Sequence, residues 1–306
     1  MKILVTGGAG FIGSHIVDTF IDAGHDVVVI DNLSTGRMEN LNTKAKFYLI
    51  DIRSREVDRI FEIEKFDAIC HQAAQMDVRK SVADPLFDAD VNVKGSLNIL
   101  QNCIKYDIKK FIFASTGGAV YGEQESYPCD ETHPLRPVSP YGITKLTVEK
   151  YLFFYNIEYG LNYTILRYSN VYGPRQNPFG EAGVIAIFAH KLLNNQQAVI
   201  NGDGKQTRDY IYVADVAKAN LKALNDKRNE IYNIGTGVET DVNTIFKIIK
   251  EISGSGVKEK HGRALPGEQR RSVISSKKAE KMLDWKAEVN FNEGIKRTIN
   301  FFKRNK

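Results

Sequence analysis

Cysteine is scarce in this 306-residue sequence: Cys70, Cys103 and Cys129 are its three examples. They are odd in number, show no metal-ligand spacing, and Cys70 lies inside an apolar run. That excludes a disulfide framework, offers no metal site and reads as reduced structural thiols. Long apolar runs are missing too. None approaches the ~18 residues of a membrane-crossing helix, and a strand-like run begins at Lys2, so neither a membrane span nor a signal peptide is expected. A cytoplasmic protein follows from that reading. Charge of one sign is also lacking, since 42 Lys and Arg against 37 Asp and Glu leave a net +5. So mild an excess argues for no nucleic-acid partner. Much of it sits late, in Lys258, Lys260, Arg263, Arg270 and Arg271, as a solvated face or as partners for an anionic substrate. No internal repeat or low-complexity stretch occurs.

What is present begins at once. Lys2 to Thr6 is an apolar run of strand length, glycines follow at 7, 10 and 13, and Phe11 to Ala23 has a helical apolar period. In a strand-turn-helix unit Gly7 turns the chain at positive φ. Gly10 admits a pyrophosphate to the backbone, and Gly13 lets the helix pack against the strand. The phosphates then meet the free N–H groups and positive end of that helix. A second apolar strand, Val27 to Ile30, ends in Asp31, eighteen positions after Gly13, where a carboxylate binds an adenosine ribose diol. Its charge disfavours a 2'-phosphate, so NAD is expected over NADP, although Arg37 stands close in sequence.

Further strand-like runs at Phe47 to Ile50, Ala68 to His71, Phe111 to Ala114 and Tyr163 to Arg167 alternate with helical stretches. This pattern predicts an α/β fold with a doubly wound parallel sheet, a Rossmann architecture, whose ligands lie beyond the carboxyl ends of the strands. Asp51 and Ile52 follow the third strand, Asp51 either accepting from an adenine amino group or capping a helix. Ala73 and Ala74 offer a flat floor after the fourth strand, while His71 reads as structural. Ser115 and Thr116 end the fifth strand with two hydroxyls.

Tyr141 and Lys145 share one face of a helix that runs to about Glu158 and has Pro140 before it. A phenol with an ordinary pKa near 10 needs a nearby cation to act as a base at neutral pH. From Tyr168 to Gln176 glycine, proline and asparagine interrupt the alternation, which marks a lobe boundary near residue 175. Asn201 to Gly204 reads as a hairpin-grade turn, and a second loop spans Ser253 to Gly267. Asp215 to Ala223 and Ile231 to Ile234 read as a helix and strand returning to the first lobe. That leaves 1–175 with about 212–235 as the cofactor domain and 176–306 as a smaller, discontinuous mixed α/β substrate lobe.

These residues resemble the extended short-chain dehydrogenase/reductase family, and within it the UDP-glucose (UDP-galactose) 4-epimerases. The match spans nearly the whole chain: Thr6 to Gly13, Asp31-Asn32-Leu33, Ala73-Ala74-Gln75, Asn92, Ser115-Thr116, Tyr141 with Lys145, Arg167 to Gln176, Arg208-Asp209-Tyr210 and Pro266-Gly267-Glu268. The resemblance implies an isomerase that inverts C4 of a UDP-hexose through a transient 4-keto sugar, with NAD regenerated in each cycle and a homodimer as the assembly. It assigns Tyr141 as acid/base and Lys145 to the nicotinamide ribose. Thr116, or alternatively Ser115, goes to the sugar 4-hydroxyl. Phe11, Ile12, Asn32, Gln75, Asn92 and Tyr168 join the cofactor set, and Asn170, Arg208 and Arg270 the substrate set. Ser272 falls where relatives can carry a tyrosine beside the C2 substituent, which implies room for an N-acetyl group. Leu265 replaces a diphosphate-binding arginine of many relatives, for which Arg263 or Arg270 substitutes. The 4,6-dehydratases and decarboxylases of the family carry acids just after the threonine. Gly117 and Gly118 stand there in this chain, which weighs against both, as the retained Tyr141 and Lys145 weigh against a non-catalytic NAD-sensing protein.

Overall fold

The computed structural model describes residues 1–179, 183–264 and 269–304. Thirteen strands occur among them: β1 Lys2–Thr6, β2 Asp26–Asp31, β3 Lys46–Leu49, β4 Ala68–His71, β5 Lys110–Thr116, β6 Asn162–Tyr168, β7 Asn170–Tyr172, β8 Ile200–Asn201, β9 Thr207–Tyr212, β10 Glu230–Ile234, β11 Glu239–Asp241, β12 His261–Gly262 and β13 Arg271–Ser272. Seven of them form one sheet in the order β10-β6-β5-β4-β1-β2-β3, parallel at every pairing. The two directions of winding part between β1 and β4, and this is where such sheets leave a crevice.

Alternation along the strands explains why both faces are covered. Ile3, Val5, Val27 and Val29 point into one buried cluster, whereas Leu4, Val28, Ile30 and Ile69 point into the other. A strand apolar on both faces is stable only between two layers of helices. The expected return to this sheet occurs, since the helix Val213–Leu224 packs on the helix Phe11–Asp22 and β10 pairs with β6.

The remaining strands build a second unit with its own core, in which Ile185, Phe188, Ile245 and Phe246 are buried. The chain enters it directly after β6, because β7 pairs with β9. One expectation fails here. Asn201 to Gly204 is a turn, with positive φ at Gly202 and Gly204, but the strands it joins are not a hairpin. Each edge of β9 is already occupied by β7, β11 or β13, so β8 pairs with β12 instead.

Candidate active site

A cavity of about 630 Å³ opens at the switch point and runs from the β1 turn to the second unit. Its cofactor half is built by backbone geometry. Gly7 turns at φ 70°, and a Cβ on Gly13 would stand 2.2 Å from the Gly7 carbonyl oxygen. Only glycine therefore lets the helix Phe11–Asp22 start so close to the turn. Gly10, Phe11 and Ile12 line the wall with them.

Asp31 lies at the end of β2. Its carboxylate accepts from Ala9 N at 3.0 Å and Leu33 N at 2.8 Å, which aims it toward the cavity, and burial pushes its pKa up. Asp51 is no helix cap. It accepts from the backbone and guanidinium of Arg53 and from Asn32 Nδ2, and Arg53 above all holds its carboxyl well below the usual range. With Ile52 it still lines the wall, as do Asn32, Ala73 and Ala74.

His71 is structural, as read. Ser96 donates to Asn92 O and Thr6 Oγ1 accepts from Gln72 N and Ala73 N. The ring therefore donates from Nε2 to Ser96 and accepts at Nδ1 from Thr6, and burial depresses its pKa to about 3. It supports the floor as a neutral ring.

The helix Pro140–Tyr159 starts where its sequence dictates: Ser139 accepts from Gly142 N, with proline in the first turn. A Cβ at Gly142 would lie 2.8 Å from Ala119 O, so the missing side chain lets this helix close on the loop after β5. Tyr141 and Lys145 thereby reach the cavity beside Ser115 and Thr116. Lys145 Nζ donates to Ala114 O at 2.8 Å and lies 5.9 Å from the Tyr141 ring centroid. Burial lowers its pKa to about 8, against the opposing pull of Asp88 and Glu149.

The two hydroxyls of β5 face different partners. Ser115 Oγ donates to Glu149 Oε1 at 2.5 Å, and Glu149 is gripped by Arg167 through Nε at 2.9 Å and Nη2 at 2.6 Å. Arg167 Nη1 also donates to Tyr121 OH. Sequence reasoning missed Glu149, although its place one further helical turn from Tyr141 and Lys145 was a usable signal. Tyr168 lines the cavity, but its hydroxyl is bound to Asn220 and Gln72 and burial raises its pKa.

Asn170 and Arg208 reach the wall from the second unit. Four expected residues stand off it. Gln75 and Asn92 bond to each other and to buried Asp88. Arg270 forms a two-bond ion pair with Asp203. Ser272 is buried in β13, in register with Arg208, so proximity in register does not bring its side chain to the cavity. Leu265, Pro266, Gly267 and Glu268 lie outside the described residues. Two lining residues carry buried oxygens with no partner among the described residues, Ser169 Oγ and Gln176 Oε1. No group of three metal-ligating side chains occurs among the described residues.

A parallel sheet with a glycine turn, an acidic end to its second strand and a Tyr-Lys pair facing the same cavity defines a dinucleotide-dependent enzyme of the extended short-chain dehydrogenase/reductase type. Residues 3–235 match the model of the NAD dependent epimerase/dehydratase family, and the chain belongs to that family. It is 54% identical over 303 residues to a Methanocaldococcus jannaschii protein provisionally named a UDP-glucose 4-epimerase, with 99% of each chain covered. Among solved structures it resembles the UDP-glucose 4-epimerase of Thermotoga maritima with UDP-glucose, at a TM-score of 0.98 and 50% identity over 100% of this chain and 99% of that one. The Thermus thermophilus UDP-glucose 4-epimerase in complex with NAD gives 0.95 and 44%, with 99% of each chain covered.

Proposed function

We propose that the protein is an NAD-dependent epimerase that inverts C4 of a UDP-hexose, UDP-glucose and UDP-galactose being the pair it interconverts. The observation that carries this reading is the position of Tyr141 and Lys145 in one cavity with Thr116, joined to the likeness to UDP-glucose 4-epimerases over the full chain. The residues fit NAD. Asp31 presents an oriented carboxylate to a ribose diol, and the turn from Gly7 to Gly13 leaves no room for a Cβ at its tightest point. Gly7, Gly10 and the first turn of the following helix would hold the diphosphate, Ala73 and Ala74 the flat ring, and Lys145 the nicotinamide ribose. Bound there, NAD would supply the hydride acceptor and donor for C4.

The chain's own residues do the rest. Tyr141 removes the 4-hydroxyl proton as the carbonyl forms and gives it back after the 4-keto sugar has turned. Lys145, an ammonium on the same helix face, stabilises the phenolate. Thr116 takes the hydroxyl role at C4, because the Ser115 hydroxyl is spent on Glu149. Asn170 and Arg208 face the UDP diphosphate, a cation being needed there. Gly117 and Gly118 supply no acid for dehydration or decarboxylation.

In this reading 1–175 with 212–235 carry the cofactor and 176–306 the sugar nucleotide. The protein acts in the cytoplasm, consistent with three free, buried thiols, and no helix of the described residues is long and apolar enough to cross a membrane. A homodimer is supported by exposed apolar side chains on one helix, Phe153 at 58%, Phe154 at 48% and Ile157 at 70%, since such a row favours burial against a second copy. Separate incubation with UDP-galactose, UDP-GalNAc and UDP-galacturonate, with product analysis, tests the proposal. Conversion of UDP-galactose to UDP-glucose is expected, and its absence in NAD-loaded protein overturns it.

A further inference from the structure

One buried carboxylate has no part in the chemistry so far. Asp88, in the helix Pro85–Ala89, is fully buried, and neutral groups donate to it. Gln75 Nε2 at 2.9 Å and Asn92 Nδ2 at 3.1 Å meet Oδ1, and Thr144 Oγ1 at 2.8 Å meets Oδ2. Among the described residues it makes no ion pair. Lys145 is the converse case. Its ammonium is buried, donates to a backbone carbonyl, and among the described residues has no carboxylate within ion-pair distance. A buried charge without a counter-charge is strongly unfavourable, and Thr144, the residue before Lys145, donates to Asp88.

The three donors join separate parts of the site. Asn92, in a π-helical turn at Asp90–Lys94, also accepts from Gln75 N at 2.8 Å and so fixes the end of the floor that Ala73 and Ala74 form. Thr144 belongs to the catalytic helix. Resting on the epimerase reading, we infer that Asp88 is a positioning residue: it ties the cofactor floor to the helix of Tyr141 and Lys145, and its negative charge keeps Lys145 an ammonium during turnover.

The other groups facing Lys145 do not replace it. His71, on β4, is neutral, Phe113 on β5 offers a ring face at 4.9 Å, and Tyr141 is the group being served. Glu149, on the same helix, already shares its charge with Arg167. Asp88 is thus the anion without a cation of its own, and its field opposes the depression that burial imposes on Lys145.

Asp88→Asn removes the charge at nearly constant shape. In the NAD-loaded enzyme the alkaline limb of kcat is expected to move down by about one pH unit, a loss of roughly tenfold at pH 9, with KM for UDP-galactose unchanged. A readout apart from activity follows from linkage. A lysine whose folded pKa is depressed binds fewer protons folded than unfolded, so its cost to stability is full at low pH and fades as pH rises. The urea-midpoint deficit of Asp88→Asn against wild type is therefore largest near pH 6 and closes toward pH 9. An unmoved limb, or a deficit independent of pH, overturns the electrostatic role. Thr144→Val keeps the charge of Asp88 and removes the hydroxyl that ties it to the helix, together with that hydroxyl's bonds to Tyr141 O and from Asn92 Nδ2. It should lower kcat several-fold with KM and the limb in place, and unchanged kcat overturns the positioning role even where Asp88→Asn does not fold. Wild-type protein that leaves UDP-galactose unconverted overturns the epimerase reading instead, while wild-type turnover with both variants unaltered overturns this inference alone.

Discussion

Ser115 Oγ stands 2.5 Å from Glu149 Oε1 and donates its hydrogen there, so the first of the two hydroxyls ending β5 is committed to a buried carboxylate. Ser115→Ala is then expected to stay within about threefold of wild-type kcat and to lose roughly 1 kcal/mol of stability. Thr116→Val should lose about a hundredfold in kcat with bound NAD retained. Steady-state kinetics on both variants decide it, and the reverse ranking assigns the hydroxyl role to Ser115.

Tyr141→Phe deletes only an ionisable hydroxyl. Turnover should fall by about a thousandfold or more, with NAD content after purification unchanged. Lys145→Met should lose turnover and cofactor together, because Lys145 faces both the phenol and the nicotinamide ribose in the proposed arrangement. Retained activity in Tyr141→Phe removes the acid/base assignment.

The Glu149–Arg167 pair is buried on both sides, at 2% and 1% exposure of the side chains. Glu149→Gln leaves a buried guanidinium uncompensated and should cost about 3–5 kcal/mol in chemical denaturation. Replacing both partners by leucine and methionine should recover much of that loss, since two apolar groups of similar volume leave no charge behind. A double variant no more stable than the single one contradicts this account.

Glu64 predicts the acid limit of the fold. Burial pushes its carboxyl up, but Lys2, Lys46 and Tyr48 outweigh that and hold it at about 2, against an ordinary 4.5. A depressed folded pKa stabilises above the unfolded value, and that contribution is lost as pH falls from about 4.5 toward 2. Urea midpoints of Glu64→Gln should therefore vary less than wild type between pH 5 and pH 2. Parallel curves would place the acid sensitivity elsewhere.

If the apolar row on the helix Pro140–Tyr159 is a dimer face, Phe153→Asp and Ile157→Asp should each shift the protein to monomer in sedimentation experiments. Both side chains are exposed in the single chain, so the folded monomer loses nothing by the change. An unaltered dimer places the interface elsewhere.

Much of the cofactor half was legible from residues 1 to 31, because a glycine turn between a strand and a helix is a local device. Gly7 needs its positive φ, Gly13 its close approach, and both demands are met within a few residues. The returning strand β10 was legible for a similar reason, as an apolar run of the right length. The hairpin reading of Asn201 to Gly204 failed because turn residues specify a reversal and not a partner, and β9 had filled its edges from distant segments. Ser115 and Thr116 are adjacent and chemically alike, so no pattern in the chain separates them. What separates them is Glu149, thirty-four residues away. The same holds for Asp88, whose donors Gln75 and Thr144 come from two other segments.

By itself, then, the sequence determined the strand-helix alternation, the glycine turn, the acidic end of β2 and the helical spacing of Tyr141 with Lys145, all of which depend on neighbours within a few positions. The tertiary structure alone decided that the Ser115 hydroxyl meets Glu149, which charges are buried together and which expected residues stand off the cavity. Hydrogen bonding and desolvation act through space, and the groups that settle them come from strands and helices that meet only when the sheet has closed.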